Sequence, residues 1–236
     1  MELINSSGIK ISIRRRKNDA ASVVIVAPGF FQSKETRTFK RIENDLSSEF
    51  DVISMDFRGH GKSGGLYTFS AREADDLKAV ADYARAGYAR VGVLGFSDGG
   101  TSAILETALH KNIDSLVCVG SPMASEEVEF KWWTFDAMKL GLSGLEAGAG
   151  VRSGNPYLKK TRAIDAVSEI GPVPILFVHG EKDPTVSARH SRQMYAKAPG
   201  TKKLKIFEQG SHAEELYRQY PVEFMSAVKD WFRQTL

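Results

Sequence analysis

A serine hydroxyl attacks a carbonyl only when a base lies within hydrogen-bond reach and the hydroxyl is held clear of its own backbone. Gly95-Phe96-Ser97-Asp98-Gly99 matches Gly-x-Ser-x-Gly, where small residues flank a serine on a tight, strained strand-to-helix turn. Gly61-Lys62-Ser63-Gly64-Gly65 matches the same pattern. Context separates the two. Ser97 follows the apolar run Val91–Leu94 and precedes a helix-like stretch opening with Gly99, Gly100, Thr101, Ser102 and Ala103. Ser63 follows a charged turn and precedes no helical pattern. Ser97 is therefore the expected nucleophile and Ser63 an expected turn residue. Gly61-Lys62-Ser63 could also end a phosphate loop, but Asp56 stands where that loop needs its earlier glycine.

Five histidines could supply the base. His110 falls at the end of the helix after Ser97, where it complements the helix dipole. His190 lies in a helical stretch and is expected to be exposed. His60 sits in a turn, and His179 ends an apolar strand, where a structural hydrogen bond is the plainer role. His212, in Gly210-Ser211-His212-Ala213 after the last strand-like run, is the expected base. A base of this kind needs a carboxylate to fix its tautomer and stabilise the imidazolium. Asp183 follows the strand Ile175–Val178, with Glu181 and Asp165 as alternatives. The chain order Ser97, Asp183, His212 favours Asp183, because strand–turn–helix serine sites use the order nucleophile, acid, base. The oxyanion would be met by two backbone N–H groups, those of Asp98 and of Phe30, the latter following Pro28-Gly29. Asp98 itself reads as a surface carboxylate at a helix N-terminus, with a bias against anionic substrates as the alternative.

These residues must be positioned by elements that place them at one rim. Val23–Ala27, Val52–Met55, Val91–Leu94, Ser115–Val119 and Val173–Val178 are short apolar runs of the kind buried on both faces of a sheet. Ile9–Ile13 alternates as a half-buried strand, and Leu204–Phe207 is a further strand signal. Between the runs, Thr36–Ser48, Ala71–Arg85, Thr101–His110 and Ser187–Ala198 have helical composition or spacing, and Ile104, Leu105, Ala108 and Leu109 form one apolar face. Pro221 opens a final amphipathic helix holding Phe224, Met225, Val228, Trp231 and Phe232. Strand and helix alternation predicts an α/β fold with a mostly parallel sheet and helices on both faces. Such sheets bind ligands beyond the carboxyl ends of their strands, where all the candidate residues fall. The rhythm breaks over residues 123–170, rich in glycine from Gly141 to Gly154, which reads as a small cap inserted into one domain spanning 1–236. Trp132, Trp133 and Phe135 in that cap are candidate substrate-binding residues.

Composition narrows the function. The 236 residues carry 32 Lys+Arg and 29 Asp+Glu, a net charge of +3, too small to announce a nucleic-acid partner. Arg14–Lys17 is the one basic cluster and reads as a solvated hairpin turn. The single cysteine, Cys118, excludes a disulfide framework and a multi-cysteine zinc site. No apolar run reaches the roughly 18–20 residues that span a bilayer, and the first residues do not form a secretory signal. A soluble, cytoplasmic protein is expected, with no membrane partner; the oligomeric state is open, a homodimer being one option.

With these motifs together, the sequence resembles the α/β-hydrolase superfamily, near small bacterial esterases of the serine aminopeptidase and monoglyceride lipase-like branch. The resemblance rests on Asp56-Phe57-Arg58-Gly59-His60-Gly61-Lys62-Ser63, the Ser97 turn, His179-Gly180-Glu181-Lys182-Asp183-Pro184-Thr185-Val186, and Gly210-Ser211-His212. It implies a sheet of about eight strands and a cap inserted after Val119. It departs from the family at Pro28-Gly29, where members carry His-Gly, so hydrogen bonding in that loop must differ. The expected reaction is hydrolysis of small-molecule carboxylic esters with small or aromatic acyl groups, needing no metal or organic cofactor. Aminopeptidase, acyl-peptide hydrolase or thioesterase chemistry would use the same three residues. An aminopeptidase would offer acidic groups to the substrate amine, and Glu126, Glu127 and Glu129 are available. A non-catalytic binder on the same fold would be expected to have lost one of the three.

Overall fold

The computed structural model describes residues 2–128 and 146–236. Eight strands form one sheet: β1 (Glu2–Ser6), β2 (Ile9–Arg16), β3 (Ser22–Ala27), β4 (Asp51–Met55), β5 (Arg90–Phe96), β6 (Ser115–Val119), β7 (Ile175–Gly180) and β8 (Lys202–Phe207). Their order is β1-β2-β4-β3-β5-β6-β7-β8. The β1–β2 hairpin and the β2–β4 pair are antiparallel, and every pairing from β4 through β8 is parallel.

The helices among the described residues are α1 (Arg37–Leu46), α2 (Glu73–Arg85), α3 (Asp98–His110), α4 (Ala163–Ala166), α5 (Arg189–Lys197), α6 (Glu214–Gln219) and α7 (Pro221–Thr235). Side chains alternate across the sheet, so each central strand feeds two cores. Val23, Ile25, Val91, Val93, Leu116 and Phe177 pack with Leu77, Val80 and Ile104 of α2 and α3. Val24, Val26, Leu94, Phe96, Val117 and Val178 pack with Phe39, Ile42, Phe224 and Phe232 of α1 and α7. That is why these strands read as unbroken apolar runs. No helix among the described residues is long and apolar enough to cross a membrane.

Several expectations need correction. The basic cluster is no hairpin turn, since Arg14, Arg15 and Arg16 close strand β2. Arg14 and Arg16 reach Glu43 of α1, whose fully buried carboxylate also accepts the Ser54 hydroxyl at 2.8 Å. A buried carboxylate needs such partners, and the strand supplies them. His190 is fully buried, and its Nδ1 accepts the Met123 N–H at 3.1 Å. Leu109, expected on the buried face of α3, is exposed.

Candidate active site

Each central strand ends in a loop at the same edge, and six of these loops meet there. Ser97 lies between β5 and α3 with φ 48° and ψ −117°, and its N–H donates to Val119 O at 2.7 Å. The strain is sustained by close packing: a Cβ at Gly99 would lie under 3.0 Å from the carbonyl oxygens of Ala27 and Pro28. No other residue type fits that approach, which explains the motif's second glycine.

The structure brings Ser97, His212 and Asp183 into one hydrogen-bonded line. The Ser97 hydroxyl is 3.1 Å from His212 Nε2, and His212 Nδ1 is 2.6 Å from Asp183 Oδ2. The second carboxylate oxygen of Asp183 accepts the N–H groups of Thr185 and Val186, both at 2.8 Å. Nδ1–H therefore donates to Asp183, leaving Nε2 free to accept the serine proton. Burial alone would lower the His212 pKa, but the charge and hydrogen bond of Asp183 outweigh it and Glu214 adds to them, so it is raised. Burial would raise the Asp183 pKa, but attraction to His212 and hydrogen bonds from His179 and His212 hold it well below the usual carboxylate range. His179 Nε2 lies 2.8 Å from Val186 O and 3.3 Å from Asp183 Oδ2, so this histidine buttresses the Asp183 loop.

The loop after β3 carries Phe30. This loop is braced from another one. His60, 2% exposed, accepts the Phe31 N–H on Nε2 at 3.1 Å, with Nδ1 3.0 Å from Arg58 O. Burial lowers the His60 pKa, which keeps it neutral and able to accept. Lys34, fully buried, pins the same loop through Asp56, whose Oδ1 accepts the Lys34 N–H at 2.8 Å. No hydrogen bond occupies the N–H of Phe30 or of Asp98 among the described residues. Ser63 is bound into the scaffold instead: its hydroxyl donates to Asp56 O at 2.6 Å and accepts the Ser12 N–H at 2.8 Å.

Asp98 is not on the surface. It is 8% exposed, and its carboxylate accepts the hydroxyls of Tyr67, at 2.8 Å, and of Ser70. Burial raises its pKa against the pull of those two hydrogen bonds. The bonds hold the strap Tyr67–Ser70, in which Phe69 and Ser70 both have positive φ, 56° and 69°. The Tyr67 ring lies 4.8 Å from Phe69 and 5.2 Å from Phe30, forming an aromatic wall. This wall, Ser97 and His212 line a cavity of about 440 Å³. Val186 and Glu214 also line it. Glu214 is 7% exposed and its pKa is raised by burial, against attraction to His212.

Trp132, Trp133 and Phe135 lie outside the described residues, as does Glu129. Of the expected cap, residues 123–128 and 146–170 are described. Glu126 and Glu127 meet Arg162, and Glu127 also meets Arg189, so these carboxylates already have cationic partners. No group of three or more His, Cys, Asp or Glu among the described residues is arranged to hold a metal ion. Tyr67, Phe69, Ser70 and Glu214 were not found from the sequence. Glu214 follows His212 by two positions, but spacing alone gives no sign of which way a glutamate turns.

The chain belongs to the alpha/beta hydrolase family, whose sequence model matches residues 23–227. It is similar to Serine hydrolase BPHL of Mus musculus, 25% identical over 93% of this chain and 82% of that protein. It is also similar to the uncharacterized protein YqkD of Bacillus subtilis, 23% identical over 90% of this chain and 74% of that one. Among solved structures, a Pyrococcus furiosus esterase superposes with a TM-score of 0.81 at 22% identity, covering 99% of this chain and 91% of the esterase. Est1E of Butyrivibrio proteoclasticus, solved with ferulic acid bound, gives 0.75 at 20% identity over 100% and 99%. Identities this low establish the shared fold.

Proposed function

We propose that this chain is a serine carboxylesterase. The observation that carries the reading is the Ser97–His212–Asp183 hydrogen-bonded line opening into an apolar-walled cavity. Ser97 Oγ attacks the ester carbonyl carbon while its proton passes to His212 Nε2. Asp183 holds the ring and stabilises the imidazolium. The N–H groups of Phe30 and Asp98 receive the oxyanion of the tetrahedral intermediate, a contribution worth on the order of 100- to 1,000-fold per donor. Its collapse breaks the bond to the alkoxy oxygen, which leaves as alcohol with the proton from His212. Water, deprotonated by His212, then attacks the acyl-enzyme and releases the acid and Ser97.

A volume of about 440 Å³ suits a small ligand. The rings of Phe30, Tyr67 and Phe69 favour small or aromatic acyl groups over long lipid chains. The buried Asp98 carboxylate disfavours an anionic acyl group. The cap residues Trp132, Trp133 and Phe135 are proposed to complete the lining. The test is turnover of aryl esters of increasing acyl length. Activity should be highest for short or aromatic acyl groups and fall with longer chains, and Ser97→Ala should abolish it. Absence of turnover on every ester, or unchanged turnover in Ser97→Ala, would reject the reading.

A further inference from the structure

Two carboxylates line the cavity, and they differ in what they hold. Asp98 is occupied, accepting the Tyr67 and Ser70 hydroxyls on separate oxygens. Glu214 accepts no hydrogen bond from any other described residue; its own backbone N–H is the donor it meets. At 7% exposure it is nine-tenths buried, and it faces the same cavity as Ser97 and His212. A carboxylate withdrawn from water with only its own N–H as donor is under-satisfied, and a cation is the partner that offsets most of that cost. Arg218 attracts Glu214 but makes no ion pair with it, being bound to Thr38 at 2.8 Å, Glu215 at 3.0 Å and Glu146 at 3.3 Å.

The backbone around Glu214 is constrained. Ala213, between it and the base, has φ 42° and ψ −113°, a conformation disfavoured for any residue but glycine. Helix α6 is tied to α1 by the Tyr217 hydroxyl on Asp45 at 2.7 Å. Glu214 therefore starts an anchored helix two residues after the proposed base. His212 must pass its proton to the departing alkoxy oxygen, so the alcohol half of the ester lies against His212. Glu214, two residues further along the chain, lines the same cavity, and its charge acts on the imidazole.

We infer that Glu214 receives a cationic group on the leaving alcohol, making esters of amino or quaternary-ammonium alcohols preferred substrates. This rests on the ester-hydrolase reading above and deepens it. A cation and a carboxylate a few ångströms apart in a partly desolvated site interact strongly enough for a preference of about tenfold or more.

The experiment compares acetylcholine with 3,3-dimethylbutyl acetate, which differ in carrying N⁺ or neutral carbon at the same position. At pH 8 the ratio of their kcat/KM values should favour the cationic ester by about tenfold or more in the natural protein, and should fall at least fivefold in Glu214→Gln. If Glu214→Gln is poorly folded, calorimetric binding of choline and of 3,3-dimethylbutanol to Ser97→Ala decides: choline should bind more tightly. A ratio near one in the natural protein, an unchanged ratio in Glu214→Gln, or equal binding of the two alcohols overturns the inference. So does a Glu214-dependent preference that appears on aminoacyl esters of neutral alcohols instead. Equal turnover of both esters rejects the cation site and leaves the esterase reading intact. No turnover of either, with Ser97 unreactive toward a fluorophosphonate, rejects the esterase reading itself.

Discussion

At Ser97 the left-handed backbone sits on the serine itself, φ 48°, while at Ser63 it sits on the flanking glycines, Gly61 with φ 43° and Gly65 with φ 69°. The two turns share Gly-x-Ser-x-Gly and little else. A serine held at positive φ faces the cavity, and its hydroxyl meets His212 Nε2. In the other turn the glycines take the strained angles, and the Ser63 hydroxyl turns inward to tie β2 to the end of β4. The first hydroxyl is left available for chemistry; the second is saturated by the scaffold. The pattern marks a tight turn, and whether it marks a nucleophile depends on which residue bears the strain and what lies opposite.

The largest effect that would sharpen this contrast is on activity. Ser97→Ala should lower kcat on an aryl ester by on the order of a millionfold, while Ser63→Ala should stay within about threefold of the natural protein. Ser63→Ala should show its loss in urea denaturation, as about 1–3 kcal/mol for two buried hydrogen bonds. Comparable activity losses in both variants would break the comparison.

Next comes Asp183, the proposed acid. Asp183→Asn should reduce kcat by about 10,000-fold, because the imidazole loses the partner that fixes its tautomer. As the proposed base, His212 works in its neutral form, so kcat should rise with pH through its ionisation. Asp183 raises that ionisation above the ordinary 6.5, so the rising limb should be centred above pH 6.5 and should move down in Asp183→Asn. A limb that does not move would show that another group controls it.

The glycines of the two turns should separate as well. An alanine at Gly99 would press its Cβ on two backbone carbonyl oxygens that cannot move aside, at a cost of about 3 kcal/mol or more, with loss of the turn's geometry. At Gly65 the obstruction is the flexible Ile9 side chain, at 3.0 Å, so the cost there is chiefly the left-handed backbone, about 1–2 kcal/mol. Thermal unfolding and fluorophosphonate labelling of the two variants measure this, with labelling kept in Gly65→Ala and lost in Gly99→Ala.

What could be read from the sequence follows the same division. The central strands were legible because burial on both faces forces a continuous apolar run, and their carboxyl ends located the loops bearing Ser97, Asp183 and His212. The edge was not: β1 is largely exposed, so Glu2–Ser6 carries no periodic apolar signal. Helix α6 has six residues, too few for a pattern. Buried polar residues were misread for a common reason. Asp98, His190 and the Arg14–Arg16 segment looked solvent-facing because polarity is visible in a sequence, whereas the partners that permit burial come from distant segments. Tyr67 and Ser70 are 31 and 28 positions from Asp98, and Glu43 is 29 from Arg14.

The most direct measurement is fluorophosphonate labelling of the natural protein followed by peptide mapping across pH. The expected result is a single adduct on Ser97, with Ser63 unmodified and a rate that climbs with pH through an ionisation above 6.5. An adduct on Ser63, or no adduct at any pH, would contradict the assignment of Ser97 as the nucleophile.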